Sequence, residues 1–181
     1  MRKIKRDLTF KICVFGEKNV GKSSLIKAAT RKEFNKLTRP PVIIDIETKE
    51  LIIDSIKIVL QIWVLRFDFQ FEFLFPIFLS GTLGGIFLYD ITKFSSLSNI
   101  EKWITIFRTY LFNDQNNIPL AMVGGKCDLF YKRTVPKEFA EELSQKYKFV
   151  KYFECSSKTG KNVDILFEFL TKSIMKIEGY F

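Results

Sequence analysis

The chain contains no histidine among its 181 residues. Histidine activates most serine and cysteine nucleophiles and is a common zinc ligand, so its absence excludes histidine-activated nucleophiles and metal sites that contain histidine. The three cysteines, Cys13, Cys127 and Cys155, are an odd number at no metal-ligand spacing. They indicate neither a disulfide framework nor a zinc site. Any catalysis by this chain must therefore be phosphate or carboxylate chemistry.

Targeting segments and long apolar runs are also lacking. Residues 73–89 carry no charge, but they are too few to span a bilayer and contain Pro76, Gly81, Gly84 and Gly85. The basic start runs into Asp7 without the pattern of a signal peptide. A terminal cysteine for prenylation and a second-position glycine for myristoylation are absent. We expect a cytoplasmic protein without a stable membrane anchor.

The composition is that of a globular protein, with 47% hydrophobic and 27% charged residues, and the length predicts one domain over residues 1–181. The net charge of +9 favours acidic partners. Lys and Arg are scattered rather than clustered with aromatic residues, which argues against nucleic acid. The densest basic cluster, at the N-terminus, leaves open a weak contact with anionic lipid or a solvated terminus. Its members are Arg2, Lys3, Lys5 and Arg6.

Apolar patterns alternate between strand and helix types along the chain. Strands are predicted at residues 8–15, 43–53, 56–65, 85–89, 120–123 and 152–155. Helices are predicted from 22 to about 30, from 95 to 112, from near 136, and from 163 to 177. Asp54-Ser55 reads as the turn of an antiparallel hairpin. The order predicts an α/β fold, with a mostly parallel six-stranded sheet and helices on both faces.

A glycine-bounded loop connects the first strand to the first helix. A glycine, four residues, and then Gly-Lys-Ser is the pattern of a loop whose backbone N–H groups bind phosphate. Lys22 is expected to neutralise the β- and γ-phosphates, and the Ser23 hydroxyl to bind Mg²⁺. The predicted nucleotide-binding residues of this loop are Gly16, Glu17, Lys18, Asn19, Val20, Gly21, Lys22, Ser23 and Ser24.

Two later loops carry candidate base-binding residues. Lys126 and Asp128 follow a predicted strand, and a carboxylate there can accept both N–H donors on the Watson–Crick edge of guanine. A Lys-Cys-Asp loop alone is more often an exposed turn, but its position after a phosphate loop favours binding. Ser156, Ser157 and Lys158 follow the last strand and can add backbone donors and a lysine stem over a base. Together they indicate a guanine nucleotide.

The chain resembles the Ras-like small GTPases, and its motif sequences are most like those of the Rab branch. The resemblance rests on the phosphate loop and four further motifs in family order: Ile62-Trp63, Tyr89-Asp90-Ile91-Thr92, Lys126-Cys127-Asp128-Leu129 and Glu154-Cys155-Ser156-Ser157-Lys158-Thr159-Gly160. It implies binding of GTP or GDP with Mg²⁺, regulatory or effector protein partners, and a role in signalling or trafficking. It also implies that Lys126 packs on the base, that Asp128 selects guanine, and that residues 156–158 close the base pocket.

The first family switch departs from this pattern. The magnesium-binding threonine is expected eighteen residues after Ser23, where this chain has Pro41, and Thr38 is the nearest hydroxyl. Proline has no side-chain oxygen to bind a metal. We therefore expect a weakened dependence on Mg²⁺, with Ser23 as the remaining metal ligand.

The second switch departs further. The family sequence Asp-x-x-Gly-Gln is expected after Trp63, but the chain reads Val64-Leu65-Arg66-Phe67-Asp68. Asp68 takes the position of the glutamine that orients the attacking water, and its negative charge is unfavourable beside a γ-phosphate. Gly125 likewise replaces the asparagine of the base loop. Nucleotide binding is thus expected to survive better than hydrolysis, and no catalytic residue is assigned beyond the phosphate charge of Lys22.

The segment after the second switch is rich in phenylalanine. Residues 67–73 alternate strictly, which by period alone predicts a strand, whereas the resemblance implies a mobile switch and a helix. An apolar partner-binding surface over 67–75 and burial against a neighbouring helix both remain open.

Three functional hypotheses follow. The first is a GTP-binding regulator with weakened hydrolysis, and the second is a pseudo-GTPase that acts only as a protein-interaction module. The third, a kinase-type or ATPase phosphate-loop enzyme, is disfavoured by Asp128 and residues 156–158.

Overall fold

The computed structural model describes residues 7–31, 44–66, 69–111 and 118–181. The strands are β1 (Asp7–Phe15), β2 (Ile44–Ile53), β3 (Ile56–Leu65), β4 (Thr82–Asp90), β5 (Leu120–Gly125) and β6 (Lys151–Glu154). The α-helices are α1 (Lys22–Thr30), α2 (Phe75–Leu79), α3 (Ile100–Leu111), α4 (Lys137–Lys146) and α5 (Val163–Ile177). Short 3₁₀ helices span Phe69–Leu74, Phe94–Leu97 and Cys127–Lys132.

The strands form one six-stranded sheet in the order β2-β3-β1-β4-β5-β6. β2 runs antiparallel to β3, and every other neighbouring pair is parallel. Asp54 and Ser55 both have positive φ angles, of 49° and 67°, as the two central residues of a tight hairpin turn require. The predicted hairpin and the predicted mostly parallel sheet are confirmed.

Helices cover both faces of the sheet, and successive residues of β1 point into the two layers. Ile12 and Val14 pack with α1 and α5, whereas Cys13 and Phe15 pack with α2, α3 and α4. A central parallel strand buried on both faces must be apolar throughout, and this explains the continuous apolar run that predicted β1. The α/β fold class with helices on both faces is confirmed.

The predicted helix over 95–112 begins too early, because α3 starts at Ile100. Ser96 explains the difference: its Oγ accepts a hydrogen bond from the Asp90 backbone N–H at 3.0 Å and donates to the Lys93 carbonyl at 2.6 Å. These local bonds favour a tight turn over a helix, and residues 94–97 form a 3₁₀ helix instead. The predicted apolar face of α3 is confirmed as buried: Ile100, Trp103, Ile104 and Phe107.

The strand predicted by alternation over 67–73 is wrong for its described part. Residues 69–74 form a 3₁₀ helix, and α2 follows with Pro76 in its first turn. The chain must pass from β3 to β4 on the other side of β1, and all three strands are parallel, so this segment is a crossover connection on one face. Phe75 is buried there, with its ring 5.9 Å from that of Trp103.

The loop that follows β1 lies directly against β4. Gly16 has a φ angle of 131°, and a Cβ at this position would overlap the backbone carbonyl oxygen of Leu88. Only glycine therefore allows the loop to leave the sheet at this point.

Replacing Gly16 with alanine should destabilise the protein more than the same change at Gly160. Gly160 also has a positive φ, of 78°, but its Cβ position is in open space. We expect Gly160→Ala to lower the free energy of unfolding by about 1–2 kcal/mol and Gly16→Ala by roughly 3 kcal/mol or more, since it adds a backbone collision. Urea unfolding of both variants measures this, and equal losses would contradict the close packing of the loop on β4.

Candidate functional site

The loop between β1 and α1 forms a cavity of about 520 Å³ at the carboxyl end of β1. Lys22 is buried, and its Nζ donates to the carbonyl oxygens of Gly16 at 2.7 Å and Glu17 at 2.8 Å. Its ammonium group thus lies within the curve of the loop, where a phosphate chain would meet it. The residues that line this cavity are Lys18, Asn19, Gly21, Lys22, Ser23, Ser24 and Arg66.

The carboxylate of Glu17 is bound away from that cavity. Its Oε1 accepts hydrogen bonds from Asn99 Nδ2 at 2.9 Å and Trp103 Nε1 at 3.3 Å, both next to or on α3. Glu17 belongs to the predicted phosphate-binding loop, but its side chain serves to fasten the loop to α3. Only its backbone groups remain to contact a phosphate.

A second cavity, of about 670 Å³, adjoins the first and shares Gly21 and Ser24 with it. Its walls come from α1 and from the loops that follow β5 and β6. The residues that line it are Val20, Gly21, Ser24, Leu25, Lys27, Ala28, Arg31, Leu88, Gly125, Lys126, Asp128, Leu129, Cys155, Ser157 and Lys158. Most of the predicted phosphate-binding and base-binding residues therefore line two adjoining cavities, and Gly16, Glu17 and Ser156 line neither.

Asp128 lies in the second cavity with its carboxylate held in place. Ser156 Oγ donates to Asp128 Oδ1 at 2.6 Å, and Ser156 Oγ itself accepts a hydrogen bond from the Thr159 N–H at 3.1 Å. Ser156 is fully buried, and it is not among the residues that line the cavity. Of the predicted 156–158 segment, Ser157 and Lys158 face the cavity, whereas Ser156 positions Asp128 from behind.

Lys126 connects the base side of the site to its phosphate side. Its Nζ lies 2.5 Å from Asp90 Oδ2 and 3.5 Å from the Asn19 carbonyl oxygen. The stem of Lys126 thus crosses from the end of β5 to the phosphate loop, and its methylene groups form part of the cavity wall.

Asp90 is the buried partner that orients Lys126. Its Oδ1 accepts from the backbone N–H and the hydroxyl of Thr92, at 2.8 and 2.7 Å. Burial acts to raise the pKa of Asp90, but the hydrogen bonds from Lys126 and Thr92 outweigh it and hold this pKa below its ordinary value. The carboxylate therefore stays charged, and the ion pair with Lys126 persists, at neutral pH.

Gly125, at the position of the expected asparagine, lies in the wall of the second cavity. A Cβ there would meet Leu88 Cδ1 at 3.2 Å and the Tyr89 carbonyl oxygen at 3.3 Å. A side chain at this position would need Leu88 to shift slightly, and the loop is packed to suit a glycine.

The residues beside Ser23 only partly suit a magnesium ion. In the family pattern a carboxylate follows Trp63, but this chain has Val64, whose side chain is buried. Within the described ranges, no group of three or more acidic or cysteine side chains is placed to hold a metal. Ser23 thus offers one hydroxyl oxygen, and none of the described residues that line the cavity beside it adds the carboxylate that Mg²⁺ normally uses.

Several predicted positions lie outside the described residues. They are Thr38 and Pro41 of the first switch, Phe67 and Asp68 of the second, and the basic cluster Arg2, Lys3, Lys5 and Arg6. Of the phenylalanine-rich segment 67–75, Phe73 is 71% exposed and Phe75 is buried. In the part of the chain that is described, no helix combines the length and apolar character needed to cross a membrane.

Sequence reasoning missed three contributors to the site. Arg66 was treated only as part of an altered switch, yet it lines the phosphate cavity, and Lys27 and Arg31 line the second cavity. No local sequence signal identified Arg66, because its place beside the phosphate loop depends on the parallel pairing of β3 with β1. Lys27 lies on α1 and Arg31 directly follows the helix, and their spacing of four residues was the available signal that they lie close together.

Comparison with known proteins gives a consistent result. The Ras family model matches residues 11–176. The GTP-binding protein ypt3 of Schizosaccharomyces pombe is 30% identical over 171 residues, which cover 94% of this chain and 78% of that protein. The Ras-related protein Rab-13 of Bos taurus is 31% identical over 173 residues, 96% of this chain and 83% of its own length. The Ras-related protein RABA4d of Arabidopsis thaliana is 30% identical over 173 residues, which cover 96% of this chain and 76% of that protein.

Removing the Ser156 hydroxyl should weaken the binding of GDP. Without this donor the Asp128 carboxylate loses one of the bonds that orient it, and we expect Ser156→Ala to lower the affinity roughly 3- to 10-fold. Ser173→Ala is the matched control, because it removes a hydroxyl of α5 that donates to the Phe169 carbonyl oxygen and lines neither cavity. Fluorescent GDP titration measures both, and equal affinities of the two variants would contradict this role of Ser156.

Proposed function

This chain belongs to the Ras family, and on that premise we propose that it binds GTP and GDP in the two joined cavities and acts as a small GTPase-like regulator of signalling or trafficking. The observation that supports the guanine assignment is the Asp128 carboxylate, held by Ser156 beside the cavity that continues from the phosphate loop. A fixed pair of carboxylate oxygens matches the two adjacent N–H donors of guanine. Adenine presents no such pair of donors.

Lys22 and the backbone N–H groups of the loop serve the phosphates in this proposal. The amino end of α1 follows the loop directly, and its dipole adds a favourable field for an anion. Lys126 completes the site by joining the base loop to the phosphate loop through Asp90 and Asn19. The described geometry therefore supports tight binding without any contribution from the altered switches.

Hydrolysis is proposed to be weak. Attack by water on the γ-phosphate requires a group that orients the water and cations that neutralise the developing charge. In this chain Val64 stands in the place of the metal-side aspartate, and Asp68 in that of the glutamine. A carboxylate beside a phosphate is electrostatically unfavourable and does not replace the amide.

The dependence on Mg²⁺ is proposed to be weaker than is usual in the family, whose members bind GTP or GDP with this ion. The ion would supply positive charge next to the phosphates, and Ser23 is the residue placed to hold it. The missing carboxylate after Trp63 leaves that position with one protein ligand from the described part of the site.

The second candidate is a pseudo-GTPase that acts only through protein contacts. Phe73 and Ile77, one turn apart on the crossover between β3 and β4, are 71% and 67% exposed. Two large apolar side chains so exposed on one segment favour a partner-binding surface. Both the GTP-binding regulator and the pseudo-GTPase would use this surface. Measured nucleotide affinity is therefore what distinguishes the two candidates.

The single sheet supports treating residues 1–181 as one domain. We also propose a cytoplasmic location, no nucleic acid as a partner, and a weak membrane contact through the basic N-terminal cluster.

Guanine specificity should depend on Asp128. Wild-type protein is expected to bind fluorescent GDP and GTP and to discriminate against ATP. Asp128→Ala should lower the GDP affinity roughly 10- to 100-fold, because two N–H donors of the base lose their acceptor. Glu141→Ala, which removes an exposed carboxylate of α4 paired with Lys137, is the control and should change nothing. Equal affinities of wild-type protein for ATP and GTP would contradict the guanine assignment.

Single-turnover hydrolysis of bound GTP tests the second part of the proposal. We expect a rate below roughly 10⁻⁴ per second, slower than the intrinsic rate of an intact small GTPase. Lys22→Ala is the control for contaminating phosphatase, since it should lose the bound nucleotide and any hydrolysis that depends on the site. A rate equal to that of intact small GTPases would show that the altered switches do not impair catalysis.

A further inference from the structure

Arg66 is the first residue after β3 and a cationic side chain of the phosphate cavity. It lines that cavity together with Lys22 and Ser23. β3 is the parallel neighbour of β1, so the residue after its carboxyl end lies beside the loop that follows β1. Among the described residues, those that line this cavity are neutral or positively charged.

The sheet order determines which end of a nucleotide Arg66 would meet. The base-binding residues follow β5 and β6, the phosphate loop follows β1, and Arg66 follows β3. Along the order β3-β1-β4-β5-β6, a nucleotide whose base lies near Asp128 extends its phosphate chain across β1 toward β3. The last phosphate is therefore the one nearest to Arg66.

Asp45 holds Arg66 at this edge. Arg66 Nη2 lies 2.5 Å from Asp45 Oδ2, and Asp45 is opposite Val64 in the β2–β3 pairing. This contact uses one of the five N–H donors of the guanidinium group, and the side chain is 36% exposed. A planar group with further donors, fixed at one edge, is suited to bind phosphate oxygens in a bidentate manner.

We propose that the Arg66 guanidinium binds the terminal phosphate of a bound nucleoside triphosphate and makes this chain prefer GTP over GDP when Mg²⁺ is absent. This inference rests on the proposed nucleotide binding and goes beyond it, because it assigns a residue that distinguishes the two nucleotides. Arg66 supplies positive charge on the side of the site where Val64 has replaced a metal-binding carboxylate. GDP has no phosphate at that position, so its affinity does not depend on Arg66.

Titrations of fluorescent GTP and GDP in EDTA, for the wild type and four variants, test this assignment. We expect Arg66→Ala to lower the GTP affinity roughly 10- to 100-fold, as for loss of a charge-assisted hydrogen bond, with the GDP affinity changed less than about 3-fold. The GTP affinity of Arg66→Lys should lie between those of the wild type and Arg66→Ala, because lysine keeps the charge but lacks the planar guanidinium group.

Lys57→Ala and Asp45→Asn are the controls. Lys57 is on β3 near its amino end, paired with Glu50, so its loss changes the net charge equally without touching the cavity. Asp45→Asn removes the partner of Arg66 but keeps its guanidinium, and it should preserve or raise the ratio of GTP to GDP affinity. If Arg66 served only to pair with Asp45, Arg66→Ala and Asp45→Asn would lower the melting temperature equally. Neither would then change the ratio of GTP to GDP affinity.

An unchanged affinity ratio in Arg66→Ala, with both nucleotides still bound, would overturn the role of Arg66 and leave the proposed function intact. An equal fall in the ratio for Lys57→Ala would overturn it as well, by showing a general charge effect. Failure of the wild-type protein to bind either nucleotide would overturn both. Circular dichroism checks that each variant folds. If Arg66→Ala does not fold, Arg66→Lys replaces it as the test. A GTP affinity of Arg66→Lys equal to that of the wild type would then overturn the assignment.

Discussion

Parallel pairing of the strands is the constraint on which the site depends. β1, β3, β4, β5 and β6 point in one direction, so their carboxyl ends and the loops that follow them meet at one edge of the sheet. Residues far apart in the chain become neighbours there: Lys22 after β1, Arg66 after β3, Asp90 at the end of β4, Asp128 after β5 and Ser156 after β6. Any change that shifted one strand would move its contribution away from the others, and the close approach of Gly16 to Leu88 shows how little room the central pair allows.

The two halves of this edge differ in how their polar groups are held. On the base side two pairs of polar side chains are bonded within the protein: Ser156 bonds to Asp128, and Lys126 pairs with Asp90. Further back, Glu154 accepts two hydrogen bonds from Arg133, at 2.7 and 2.9 Å, at the end of β6. On the phosphate side the charged residues among the described lining of the cavity are Lys18, Lys22 and Arg66. This arrangement favours an anionic ligand.

The sequence predicted most of this fold because its strongest signals are local. The apolar run of β1, the turn at Asp54-Ser55 and the buried face of α3 each follow from neighbouring residues alone. The start of α3 was wrong because it depends on Ser96 bonding to Asp90, a contact that periodicity does not register. The alternation of apolar and polar residues over 67–73 was misleading, because this segment belongs to the crossover connection between the parallel strands β3 and β4.

The site residues that belong to a local sequence motif could be predicted. The orientation of side chains that depend on contacts with distant residues could not. The phosphate loop, Lys126 and Asp128 were identified from pattern and order. The side chain of Glu17 could not be placed, since its partners Asn99 and Trp103 are more than eighty residues away in sequence. The proximity of Arg66 to the phosphate loop likewise depends on the strand order, which sequence alone did not supply.

The central claim is that the chain retains a guanine-nucleotide site despite its altered switches. The most direct test is to release the ligand from freshly purified wild-type protein by denaturation and to identify it by ion-exchange chromatography and mass spectrometry. The account predicts GTP or GDP bound to a substantial fraction of the protein, and none in a parallel preparation of Lys22→Ala. A bound adenine nucleotide, or the absence of any nucleotide from the wild-type protein, would contradict it.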